Sequence, residues 1–162
     1  MRKADRRVKR TRRGDYVLRL PQVEREILRA LPRQLRELLS SDDPALERLF
    51  PPAYGNDAER NREYEQLVRG DLVAQRMGSI EVMEATIDAE RVNEDQLLAW
   101  LGAINDLRLV LGTRLDVTED EAPEFEETNP EAAPYALYYY LGWLEEQVVE
   151  ELAAAIDPAG SA

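Results

Sequence analysis

The chain has 162 residues, 44% apolar and 33% charged, which fits one folded domain in the range of roughly 100–200 residues and is too apolar for wholesale disorder. It contains neither cysteine nor histidine, so disulfides, thiolate nucleophiles, Cys/His zinc sites and imidazole acid–base chemistry are excluded from it. Its net charge of −12 is unevenly spread: residues 1–14 hold eight basic groups against Asp5, or +7, leaving −19 on the rest.

In chain order, the first segment carrying structure is Val8 to Leu20. It reads as two short extended pieces around an Arg13-Gly14-Asp15 turn. Such a hairpin is marginal alone and must dock on a larger body. Pro21 suits the first turn of a helix on which Val23, Ile27, Leu31, Leu35 and Leu38 recur at helical spacing, and Pro32 predicts a kink or a division into two helices.

Asp43-Pro44 predicts an N-cap and a short helix ending at Leu49, before Pro51-Pro52. Asn56 or Asp57 can cap a long helix reaching about Glu90, with Tyr64, Leu67, Val68, Leu72, Ile80, Met83 and Ile87 on one side. At 1.5 Å per residue that helix is on the order of 50 Å long, which calls for a break or an exposed overhang. Asn93 and Gln96 form a capping-box pattern for a helix to about Gly112. This helix is apolar on nearly every face, as a central buried helix is.

Glu119 to Glu131 reads as an acidic loop, and a last helix runs from about Pro134 to Ile156 with Leu137, Leu141, Leu144, Val148 and Leu152 inward. The fold class expected is mainly all-α: four to five helices with a short N-terminal β element. Its organisation is a basic arm over 1–14, a single helical domain over 15–156 and a frayed tail over 157–162.

Four features can carry contact. Arg108 falls where the stripe Leu97, Leu101, Ile104, Leu111, Leu115 calls for an aliphatic residue, and a guanidinium there must be paired. With Asn105, Asp106 and Arg114 it forms a polar patch, either a structural ion pair to Asp71 or Glu81 or a pocket for a partner's carboxylate or backbone. The corner from Asp43 to Tyr54 carries Leu49, Phe50 and Tyr54, which either anchor a partner or pack into the core. Tyr135, Tyr138, Tyr139, Tyr140 and Trp143 surround the last helix, through a homodimer contact or through burial within the bundle. Finally, Arg2, Lys3, Arg6, Arg7, Lys9, Arg10, Arg12 and Arg13 can meet nucleic-acid phosphates weakly and with strong salt dependence, or lie back on the acidic body.

No glycine-rich phosphate loop, calcium loop or nucleophile motif occurs, and the residues imply no metal, cofactor or catalytic group. Nothing near the N-terminus has the apolar core of a secretory signal and no run is long enough to span a bilayer, so a cytoplasmic protein without membrane insertion is expected.

Asp43-Pro44-Ala45-Leu46 through Pro51-Pro52-Ala53-Tyr54, Trp100-Leu101-Gly102-Ala103-Ile104-Asn105-Asp106-Leu107-Arg108-Leu109 continuing to Leu115, and Tyr140-Leu141-Gly142-Trp143-Leu144 resemble one actinobacterial family. That is the AosR-type family of oxidative-stress transcriptional regulators, formerly a domain of unknown function. The resemblance runs from about Tyr16 to Leu152. It implies a regulator that works with a sigma factor or RNA polymerase, encoded near the protease adaptor ClpS, with an adaptor or chaperone-like role in protein turnover as the alternative. The family's redox regulators sense oxidants through cysteine, and this chain, having none, departs from them there.

Overall fold

The computed structural model describes residues 6–41, 43–44, 46, 49–50, 55–115 and 132–156. Strands β1 (Val8–Arg10) and β2 (Tyr16–Leu18) form an antiparallel hairpin pairing Val8 with Leu18 and Arg10 with Tyr16. The turn closes through Thr11 N to Asp15 O at 2.8 Å, with Gly14 at φ +89°, a conformation that a Cβ disfavours. Val8, Tyr16 and Leu18 face the core, the alternation a half-buried strand requires. A third strand, β3 (Arg91–Val92), joins the other side of β2, giving the order β1-β2-β3. Two residues are too few for a period-two signal, and between the expected helices ending near Glu90 and starting after Asn93 no strand was expected.

Helix α1 (Gln22–Leu39) is one helix, with Pro32 inside it. Of the two expected alternatives, a kink or a division, the division does not occur: Leu28, Leu31, Leu35 and Leu39 are buried on either side of the proline, and their packing carries the chain through a residue that removes a backbone hydrogen bond. The buried stripe is also rotated from the expected one, since Val23 is 69% and Ile27 43% exposed. Arg25 sets this orientation. Its guanidinium donates to the carbonyls of Leu18, Leu20, Ile87 and Ala89, tying α1 to β2 and to the approach to β3.

Helix α2 (Ala58–Ala85) starts at Asp57, whose side chain accepts from Arg60 N at 3.2 Å. It ends earlier than expected, at Thr86, whose hydroxyl donates to the Val82 carbonyl and accepts from the Trp100 indole, both at 2.7 Å. Ile80 and Met83 are its buried residues. Of the expected stripe, Ile80, Met83 and Ile87 are in the core, whereas Leu67 is 80% exposed, and the N-terminal part of the helix is the overhang its length implied.

Helix α3 (Glu94–Arg114) opens with the complete capping box, Asn93 accepting from Gln96 N and Gln96 from Asn93 N. It packs against α1, α2 and α4 (Ala132–Ile156). Leu97, Trp100, Ala103, Ile104, Leu107 and Val110 are buried, so it is the central helix its composition predicts. On α4, Leu141, Leu144, Val148 and Leu152 are buried as expected, and Gln147 with them. The fold is mainly α-helical with a short three-stranded sheet. No helix among the described residues is long and apolar enough to cross a membrane. The expected acidic loop and C-terminal tail lie outside the described residues.

Candidate interaction surface

The basic arm divides in two. Arg6 reaches Glu150 and Glu151 of α4 at 3.2 and 2.9 Å, and Arg7 pairs with Glu24 of α1 at 2.9 Å while lying 5.2 Å from the centre of the Trp143 ring. The Arg7 and Arg10 amides donate to Gln147 Oε1 and Glu151 Oε2, one helical turn apart on α4, so helix side chains cover donors of the edge strand. Glu24 also accepts from the Tyr140 hydroxyl at 2.7 Å. Burial raises the Tyr140 pKa, and the Glu24 carboxylate raises it further. Lys9, Arg10, Arg12 and Arg13 are exposed, gathered at the hairpin. Arg2 and Lys3 lie outside the described residues.

The corner after α1 is fastened from within. Leu46 and Leu49 are core residues, and Phe50 is partly buried with the guanidinium carbons of Arg69 and Arg76 at 4.8 and 5.4 Å from its ring centre. Arg76 also donates to the Leu49 carbonyl at 3.1 Å. Asp43 meets Arg114, at the end of α3, at 3.3 Å. Tyr54 lies outside the described residues.

The polar residues of α3 do not form one patch, because positions two residues apart on a helix point to nearly opposite sides. Asp106 is buried against Arg76 of α2. Burial pushes its carboxyl above the ordinary carboxylate range, with Arg76 pulling the other way. Arg108 pairs with Glu145 of α4 at 2.6 Å, not with Asp71 or Glu81, and lies 5.8 Å from the centre of the Tyr138 ring. Asn105 is half-buried between these directions. Around α4, Tyr140 is turned inward, the Tyr135 hydroxyl donates to the Leu115 carbonyl at 3.2 Å, and Tyr139 stays 44% exposed beside Tyr138. Among the described residues no group of three or more Asp, Glu, His or Cys could hold a metal ion.

Residues 4–152 match the family model described as a domain of unknown function, DUF2017. The chain belongs to the DUF2017 family. This member resembles proteins named for oxidative stress: it is 30% identical over 125 residues to the oxidative stress regulator AosR of Mycobacterium tuberculosis strain H37Rv, covering 66% of this chain and 57% of that protein. It is 28% identical over 131 residues to the putative oxidative stress regulator AosR of Mycobacterium leprae, covering 70% and 60%. This DUF2017 chain thus spans somewhat under two thirds of the curated relatives it matches. No solved structure matches it.

Three of the residues that organise this DUF2017 surface escaped the sequence reading: Arg76, Glu145 and Gln147. Each sits at helical spacing among ordinary polar positions. The signal available was the need of Asp106 and Arg108 for partners, which names the requirement and not the residue that meets it.

Proposed function

We propose that this protein is a non-enzymatic regulator that binds a protein of the transcription machinery through the outward face of α4. The observation that carries this reading is the exposure of Tyr139 and Val149, at 44% and 47%, on a helix without a single lysine or arginine. Exposed aromatic and aliphatic side chains suit a protein interface, and the exposed Glu146 and Glu150 on the same helix favour a basic partner surface. The relatives named as oxidative stress regulators support a regulatory role. A sigma factor or RNA polymerase is the partner proposed, in the cytoplasm.

The exposed cations Lys9, Arg10, Arg12 and Arg13 add a weak nucleic-acid contact in this reading, whereas Arg6 and Arg7 are held by carboxylates. The signal does not pass through a cysteine pair, for the chain has none. A photo-crosslinking residue in place of Tyr139, activated in cells at native expression, tests the proposal. Crosslinks to polymerase or a sigma factor support it. Protease components instead would favour a role in protein turnover, and crosslinks to a second copy alone would make α4 a homodimer face.

A further inference from the structure

Between α1, α3 and α4 lies a cleft of about 70 Å³ walled by aliphatic side chains including Leu35, Leu107, Val110 and Leu141, with Gln34 and Arg114 as its polar lining. We propose that this cleft is a binding site for a short-chain aliphatic carboxylate, its hydrocarbon tail between the leucines and its carboxylate on Arg114. The inference does not rest on the partner-binding reading above.

Size comes first. A water molecule occupies about 30 Å³ of liquid, and a methylene group is of similar size, so the cleft takes roughly two to three carbons of a short tail, the carbon next to the carboxylate lying outside it toward the half-exposed Arg114. Apolar walls reject a charged or strongly hydrated body there. The polar lining then selects the head group. Arg114 offers a planar fork of donors matched to a carboxylate, of which Asp43 engages the Nη2 end at 3.3 Å, and its side chain is 52% exposed. An apolar pocket with a few convergent polar groups is the usual form of a small-molecule site. Because Asp43 and the ligand draw on the same guanidinium, the two compete, and occupancy weakens the tie between Arg114 and the corner that begins at Asp43.

Titration of the full chain, with its leucine and valine methyls labelled, by sodium pentanoate tests this. Saturable shifts are expected at Leu35, Leu107, Val110 and Leu141, with pentan-1-ol at least about fivefold weaker because it lacks the charge-assisted pair. Arg114→Gln, at a half-exposed position, is expected to bring pentanoate down to the level of pentanol, and Asp43→Asn to strengthen it. Val110→Phe should fill the cleft and abolish the shifts, with circular dichroism confirming the fold. Equal binding of acid and alcohol, or an Arg114→Gln protein that binds pentanoate as the parent does, overturns the carboxylate assignment. Shifts that never saturate overturn the site altogether.

Discussion

Gln147 Oε1 accepts the Arg7 amide at 2.7 Å across 140 residues of sequence, joining the first strand to the last helix. The same side chain is 1% exposed, and its Nε2 is buried without a hydrogen bond among the described residues. One end of the amide therefore stabilises the strand while the other carries a desolvation cost.

Gln147→Leu is expected to destabilise the protein by about 1–2 kcal/mol, near the cost of an unpaired buried donor and reduced by removal of the stranded Nε2. Urea denaturation gives the loss, and faster hydrogen exchange at the Arg7 amide locates it. An unchanged urea midpoint would show that the strand does not depend on this bond.

Asp106 and Arg76 form the most deeply buried ion pair described, with the Asp106 side chain 3% and that of Arg76 27% exposed. Asp106→Ala leaves the guanidinium uncompensated and is expected to cost about 3 kcal/mol. The double replacement Arg76→Met with Asp106→Leu should recover much of that loss, as buried pairs generally add little net stability over apolar packing. Chemical denaturation of the three variants completes the comparison, and additive losses would contradict it.

Local signals were readable in this sequence because both halves of each signal lie within a few residues. The Asn93/Gln96 capping box, the glycine turn before Asp15 and the spread of apolar residues over nearly every face of α3 are of that kind. The orientation of α1 was not, since Val23 and Ile27 have the same chemistry as the buried leucines, and contacts that hold the observed arc inward, such as Arg25 on the Ala89 carbonyl 64 residues away, are distant in sequence. The site shows the same limit. Arg108 announces a need for a carboxylate, yet Glu145 is 37 residues away on another helix, as Arg76 is 30 residues from Asp106.

Asp88 supplies a test by pH. Hydrogen bonds from Arg29, at 2.7 and 2.6 Å, hold its carboxyl below the ordinary carboxylate range. A depressed folded pKa contributes stability above the unfolded value and loses it as pH falls through the folded one. Asp88→Asn should therefore cost a little stability at neutral pH, the pair being exposed, and that difference should fade as pH falls below about 4 and the parent's carboxyl protonates. Thermal melts from pH 2 to 7 measure this, and parallel curves for the two proteins would refute it.

Two glycines are expected to respond in opposite directions to alanine. Gly14 sits at φ +89°, so Gly14→Ala should cost about 1–2 kcal/mol. Gly70 lies inside α2 with nothing within 4 Å of an added Cβ, so Gly70→Ala should gain up to about 1 kcal/mol from helix propensity. For a chain of this size that is a rise in Tm of roughly 2–4 °C. Calorimetry of both variants checks the signs.

The docking of β1 on α4 also sets a timetable for synthesis. An acceptor 140 positions downstream leaves the ribosome roughly 7–28 s after its donor at 5–20 residues per second. For that interval the strand edge and Arg6 await their partners on the last helix, so the nascent chain is most open to aggregation and to chaperones before that helix is made.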